Sequence, residues 1–392
     1  MKRRHPSRRD FLKTGVGAAL GVASASAGIT PWSTLLASGT PGGILPARSA
    51  EDHIVSIARV RNGDVARAVE EAIDLLGGIG PATAGRGRIM LKPNLVAPDP
   101  AATTNLDVVR TLARLMKGAG KEVSIGEGSA AAPDFNVLNG EIYRTTDRGI
   151  LDGMQRHVFD TLGYTELARS LHLPLINLHS GDLAEVPLPA GFVSKELTLH
   201  RSLTEVDLLC SVPMMKTHTL ATVTLSMKNL IGLYPGTVYH SVRSWLHDRA
   251  AEAGSPGIAF EILDMVRANR MGLAVIDAST AMEGNGPTGG PIVPMNLILA
   301  GTSPLAADMV GASVMGFEPG EIPQFAWAHR TGMSPTSLGQ IEIRGVPLAE
   351  ARRPVARPNV IPWTSINTVW GVKVLGSGPS GGRPACALGA VH

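Results

Sequence analysis

The stretch PMMKTHTLATVTLSMKNLIGLYPG, residues 213–236, sets Lys216, His218, Lys228 and Asn229 in a background that is otherwise apolar or hydroxylic. Two ammonium groups, an amide and the hydroxyls of Thr217, Thr222 or Thr224 suit a phosphate or a carboxylate. An ammonium crowded by other cations also loses its proton more readily, which is one way to prepare a Schiff-base nucleophile. Further chemistry-bearing residues recur at the ends of apolar runs. Lys92 and Asn94 close RIMLKPN, Glu127 closes KEVSIGEG, and Asp277 lies late in MGLAVIDAST. Glu283 stands just before the glycine-rich GNGPTGG, residues 284–290. The expected roles divide accordingly. Lys216, His218, Lys228 and Glu283 are candidates for catalysis; Lys92, Asn94, Asn229, Gly284, Gly286 and Pro287 are candidates for holding the ligand. Glu127, Asp277, His240 and Asp308 could bind a divalent metal, although no H-E-x-x-H or other tight ligand spacing supports it. Each type also has an ordinary structural use: a solvated lysine, a hydrogen-bonded core histidine, an aspartate complementing a helix dipole, a mobile glycine turn.

These residues can meet only if the elements carrying them converge. HIVSIARV, RIMLKPN, KEVSIGEG, LPLINLH, KELTLH, VDLLCSVP, MGLAVIDAST, MNLILAG and QIEIRG read as strands. DVARAVEEAIDLL, NLDVVRTLARLMKGAG, AGSPGIAFEILDMVRANR and SPLAADMVGASVMGF have helical spacing, with Thr104 or Asn105 and Ser303 placed as caps and Pro304 in a first turn. Residues 130–172 show no clear pattern. The order of elements predicts an α/β fold, mainly a parallel sheet with helices on both faces, in one large domain over residues 51–350. In such sheets the ligand crevice lies beyond the carboxyl ends of the strands, where most of the candidates fall. GNGPTGG is neither a P-loop nor G-x-G-x-x-G, and there is no G-x-S-x-G elbow.

Composition narrows the partners. The 392 residues carry a net charge of +3, yet the first thirteen hold Lys2, Arg3, Arg4, Arg8, Arg9 and Lys13 against Asp10 alone. The remainder is therefore net −2, which removes the main support for nucleic-acid binding. SRRDFLK followed by a Gly/Ala-rich apolar run and small residues up to Ala27 resembles a twin-arginine export signal over residues 1–27, with a flexible lead-in over 28–50 and a C-terminal extension over 351–392. The resemblance implies the twin-arginine translocation machinery as a partner and a periplasmic or exported location. The run from Thr14 to Ile29 falls short of a permanent membrane span, which needs ~20 apolar residues.

LKPNLV, TTNLDVVRTLARLMKGAGKEVSIGEG, PMMKTHTLATVTLSMKNLIGLYPG, VIDASTAMEGNGPTGG and SPLAADMVGASVMG, in that order, resemble the family called domain of unknown function 362. The resemblance runs from about residue 53 to 345. It implies that Lys92, Asn94, Lys216, His218, Lys228, Asn229, Glu283, Gly284, Gly286 and Pro287 occupy the family's motif positions, while Met214 replaces an expected lysine. Many relatives resemble iron-sulfur proteins through an appended cysteine-rich segment; this chain has only Cys210 and Cys386, so no iron-sulfur cluster is expected in it. The cofactor stays open, a divalent metal included. The leading expectation is an exported enzyme acting on a small anionic ligand through a Lys/His/Glu cavity. The alternatives are a non-catalytic periplasmic ligand- or cofactor-binding accessory protein and a redox subunit with a separate iron-sulfur partner.

Overall fold

The computed structural model describes residues 53–360 and the two-residue strand Lys373–Val374. The arginine-rich leader, the lead-in and most of the C-terminal extension lie outside the described residues. Ten strands form the central sheet: β1 (Ile54–Arg59), β2 (Arg88–Pro93), β3 (Glu122–Glu127), β4 (Leu175–Asn177), β5 (Leu208–Val212), β6 (Met214–His218), β7 (Thr222–Thr224), β8 (Met271–Met282), β9 (Ile292–Gly301) and β10 (Glu342–Gly345). Their order is β10-β1-β9-β8-β5-β2-β3-β4, with β6 pairing to β7 and to β8. β4, β3, β2, β5 and β8 run parallel, and so do β1 and β10; β9 is antiparallel to both of its neighbours. The fold is thus α/β with a mainly parallel sheet.

The pleat explains why helices cover both faces. Side chains alternate along a strand, and in this chain both sets are apolar. Ile89 and Leu91 of β2, Leu208 and Cys210 of β5, and Leu273 and Val275 of β8 join one buried cluster. Met90, Leu209, Ala274 and Ile276 join the other. Helices Val65–Leu75, Leu106–Gly118, Arg148–Thr161 and Tyr164–Leu171 supply the first cluster, and Ala259–Ala268, Pro304–Val314 and Pro323–Arg330 supply the second. Strands buried on two sides read as continuous hydrophobic runs, as VDLLCSVP and LAVID do. Asn105 and Ser303 cap their helices through Asp107 N and Ala306 N, and Pro304 opens the second of them.

Several elements differ from the sequence reading. KELTLH pairs with Leu183–Pro187 in a separate two-stranded sheet rather than joining the main one. Residues 130–172 hold the hairpin of Val137–Leu138 with Glu141–Arg144 and two helices, whose polar positions obscure the stripe of Leu151, Met154 and Val158. The helical spacing in VTLSMKNLIGL shrinks to one turn, Ser226–Asn229, followed by a 3-10 turn, Leu230–Leu233, because Thr222–Thr224 is drawn into β7. Lys216 and His218 occupy their own strand, β6, rather than a loop after β5. Among the described residues no helix is long and apolar enough to cross a membrane.

Cys210 lies in the middle of β5, fully buried, and that burial pushes its thiol up beyond the usual range. Iodoacetamide at pH 8 should therefore leave Cys210 unmodified in the native protein and alkylate it fully in denaturant, as peptide mass spectrometry would show. Rapid native labelling of Cys210 would contradict its placement between two layers of helices.

Candidate functional site

The carboxyl ends of β2, β3 and β5 open into a cavity of about 800 Å³. Its floor is a buried polar cluster. Lys92 Nζ donates to Glu127 Oε2 at 2.7 Å, to Asn229 Oδ1 at 2.9 Å and to the carbonyl of Pro93 at 2.9 Å. Glu127 also accepts the amides of Leu95 at 3.1 Å and Gly128 at 2.8 Å. Asn229 Nδ2 donates to the carbonyl of Lys92 and to Ser211 Oγ, tying the helical turn to β2 and β5. Lys92 and Ser211 are paired across these strands, so both side chains leave the same face of the sheet. Burial holds the Lys92 ammonium below its ordinary range and Glu127 acts in the opposite sense. Removing one member of such a buried pair would strand the other without its partner.

Above this floor stand cations with fewer partners. Lys216, fully buried, donates only to the carbonyl of Ala102, at 2.8 Å. Burial, reinforced by the charges of Lys228 and Lys92, lowers its pKa to about 7. Lys228 lines the cavity from the Ser226–Asn229 turn and has no hydrogen-bond partner among the described residues. Its surface is partly open to the cavity, yet protein surrounds it closely enough that burial lowers its pKa to about 8, against a smaller opposing effect of Glu261. His218 Nδ1 accepts the amide of Leu220 at 3.0 Å, so its proton resides on Nε2. Burial and the two lysines keep its imidazole neutral, well below the usual histidine range. Thr224, opposite Lys216 in β7, and Asn94 also line the cavity, and the Oγ1 of one and the Oδ1 of the other are buried without hydrogen-bond partners among the described residues. Unpaired polar atoms around an enclosed space are what a polar ligand would satisfy.

Two residues not anticipated from sequence, Arg243 and His247, complete the wall, and a third, Glu261, stands behind His247. Arg243 donates to the carbonyls of Gly128, Ser129 and Gly232, and burial lowers its pKa to about 10. It sits in a short stretch where His240, Val242 and Arg243 all have positive φ, 63°, 51° and 56°. Non-glycine residues held this way cost on the order of 1–3 kcal/mol each and concentrate at functional sites. His247 lines the cavity and its Nδ1 pairs with the fully buried Glu261, whose second carboxylate oxygen has no partner. Glu261 had a legible signal: it sits one turn after Ile258 and beside Ile262 on the buried stripe of an apolar helix, where a carboxylate needs a reason. Arg243 and His247 have none, because their segment has no regular period.

Lys92, Asn94, Glu127, Lys216, His218, Lys228, Asn229, Gly286 and Pro287 therefore share one cavity. Five other candidates lie away from it. Glu283 accepts the amide of Ala356 at 2.8 Å, and Gly284 donates its amide to the carbonyl of Ala356, so both fasten residues 283–285 to the strap of residues 352–359. Asp277 accepts the amides of Asn105 and Ser279 and the hydroxyl of Ser279, which fixes the start of helix Leu106–Gly118 against β8. Asp308, its pKa raised by burial to about 7, accepts the amides of Ser226 and Met227 and caps the turn that carries Lys228. His240 pairs with Ser244. The metal candidates Glu127, Asp277, His240 and Asp308 are thus spread among separate partners, and no group of three or more His, Cys, Asp or Glu side chains suited to a metal ion occurs among the described residues.

Residues 89–313 match the model of a family described as "Domain of unknown function (DUF362)", and the chain belongs to that family. Thylakoid-associated protein sll1697 of Synechocystis sp. is 27% identical over 280 residues, which span 70% of this chain and 77% of that protein. Among solved structures, the lactate racemase apoprotein of Thermoanaerobacterium thermosaccharolyticum aligns over 70% of this chain with 14% identity and a TM-score of 0.41. A Thermotoga maritima protein aligns over 59% with 16% identity and a TM-score of 0.37. The aligned part spans 61% and 53% of those two chains.

Gly232 passes directly over the ion pair. A Cβ there would stand 2.3 Å from Glu127 Oε1 and 2.6 Å from Lys92 Nζ, with no room to retreat from a pair held by four further hydrogen bonds. Gly232→Ala should lower the unfolding free energy by about 1–3 kcal/mol in urea titrations. An unchanged midpoint would mean that the backbone does not approach the pair so closely.

Proposed function

We propose that this protein is an enzyme acting on a small carboxylate- or phosphate-bearing molecule, exported by the twin-arginine machinery that its leader resembles. The observation that carries the reading is the Lys228 ammonium, without a hydrogen-bond partner among the described residues, facing a cavity that Lys216 and Arg243 also line. Buried like charges without counter-ions oppose folding, and a bound anion would relieve them. Lys216 and Lys228 would bind the anionic group, His218 Nε2–H and Asn94 would orient it, and the His247–Glu261 pair would move a proton. A binding protein needs only the cations. The paired imidazole and carboxylate at the same wall favour an enzyme over an accessory binder.

Oxalate, a small dianion, tests the charge argument. Lys216 and Lys228 have depressed pKa values of about 7 and about 8 in the folded protein, and an anion raises them on binding. Binding then takes up protons, and affinity is highest below pH 7. It should weaken as pH rises through about 7 to 9, by up to about tenfold per pH unit for each lysine involved. Isothermal titration calorimetry in buffers of different ionisation enthalpy should register this proton uptake, and Lys228→Met should abolish both binding and uptake. Binding that is independent of pH and survives Lys228→Met would overturn the proposal.

The same linkage sets stability without ligand. Both lysines bind fewer protons folded than unfolded between about pH 7 and pH 10.5, so stability on their account should rise with pH across that window. In Lys228→Met the slope of unfolding free energy against pH between 8 and 10 should flatten, as denaturant titrations at several pH values would show.

A further inference from the structure

The three amines of the cavity are not chemically equivalent. Lys92 is saturated by Glu127, Asn229 and the Pro93 carbonyl. Lys216 is completely buried and donates to Ala102. Lys228 alone among them has a nitrogen that is both open to the cavity and without a hydrogen bond among the described residues. An amine used only to attract an anion gains nothing from losing its proton. Burial lowers Lys228 to about 8, with Lys92 and Arg243 acting in the same sense and Glu261 against them, so its free amine is accessible near neutral pH. His247, which pairs with the buried Glu261, lines the same cavity and can carry a proton. An amine that can shed its proton, a proton carrier and the fixed positive charge of Arg243 together fit a ligand that bears both a carbonyl and an anion.

We propose that Lys228 is an imine-forming nucleophile for the carbonyl of a 2-oxo acid, whose carboxylate is held by the positive charge of Arg243. This rests on the anionic-ligand reading above and adds a covalent step to it. The Lys228 nitrogen attacks the carbonyl carbon; the C–N bond forms, and the carbonyl π pair moves to oxygen. A proton passes from nitrogen to that oxygen through His247, giving a carbinolamine. A further proton from the His247–Glu261 pair lets the hydroxyl leave as water while the nitrogen lone pair closes the C=N bond. The products are one protonated imine and one water, and no oxidant or reductant takes part. The iminium beside the carboxylate then draws electrons from the adjacent carbon, the usual reason for placing such a lysine in a cavity.

The test is reductive trapping on the full chain at pH 7.5. The protein is incubated with pyruvate and sodium borohydride, which converts an imine to a stable secondary amine, and the modified lysine is mapped by peptide mass spectrometry. One reduced adduct on Lys228 is expected, formed about tenfold or more faster than on the exposed Lys117 and Lys195, because the fraction of free amine rises as the pKa falls. Lys228→Arg, which keeps the charge and cannot form the adduct, should remain folded by circular dichroism and lose this labelling. Oxalate, which has no ketone, separates the two claims. If oxalate binds and no adduct forms on Lys228, the imine proposal fails while anion binding stands. If labelling is spread evenly over exposed lysines, or persists in Lys228→Arg, the proposal fails as well.

Discussion

Four long cationic side chains, those of Lys92, Lys216, Lys228 and Arg243, are gathered at one end of the sheet, away from bulk water. Taking a charge out of water is expensive, and placing it beside others of the same sign adds to the cost. The fold answers this unevenly. Lys92 receives a carboxylate, and Arg243 receives three backbone carbonyls, which are partial charges rather than full ones. Lys216 receives one carbonyl, and Lys228 receives no hydrogen bond from the described residues. Lowered lysine pKa values are the consequence, and burial is the largest cause at each of the three. The site is thus graded from a lysine paired with a carboxylate at the floor to lysines with few or no hydrogen-bond partners among the described residues above it.

The geometry around this cluster follows from keeping backbone polar groups close to it. Gly128 and Gly232 let two chain segments approach until their carbonyls reach Arg243, which side chains at either position would prevent. Val242 and Arg243 adopt positive φ so that the guanidinium can turn inward, and the three carbonyl bonds offset part of that cost. Opposite them the Gly286 backbone lies so close to Thr217 that a Cβ would fall 2.2 Å from its carbonyl oxygen. The strap of residues 352–359 holds this loop through Glu283 and Asn285. Acidic residues outside the cavity are therefore not idle: Asp308 and Glu283 each fix the backbone of a segment that contributes to its wall, and Asp277 fixes the start of helix Leu106–Gly118.

How much was legible in the sequence depends on the range of the signal. Alternation and helical period are local, so the β2, β3, β5 and β8 strands and the Val65–Leu75 and Leu106–Gly118 helices could be read directly. So could the ends of strands, which is why Lys92, Glu127 and Lys216 were placed near one mouth. What could not be read depends on pairing partners. KELTLH looks like any strand, and only its register with Leu183–Pro187 excludes it from the main sheet. Glu283 follows the end of β8 and Asp277 lies within it, yet their carboxylates are captured by amides of Ala356 and Asn105, far away in sequence. Position along an element locates a backbone; where a carboxylate points is decided by which unsatisfied donor is nearest.

Asn229 shows why the type of residue matters at the centre of the cluster. Its amide oxygen accepts from Lys92 while its amide nitrogen donates to the Lys92 carbonyl and to Ser211 Oγ. An aspartate could accept from the ammonium but could not donate to the carbonyl or the hydroxyl, and it would bring a second negative charge against Glu127. A leucine would leave three buried polar atoms with fewer partners. Only an amide serves both directions without altering the charge. Because Lys228 directly precedes it, the same three bonds that lock Asn229 to β2 and β5 also fix where the Lys228 chain begins. The amine is left unpartnered by a backbone that is itself fully anchored, so its freedom belongs to the side chain alone and a ligand can be met without disturbing the sheet.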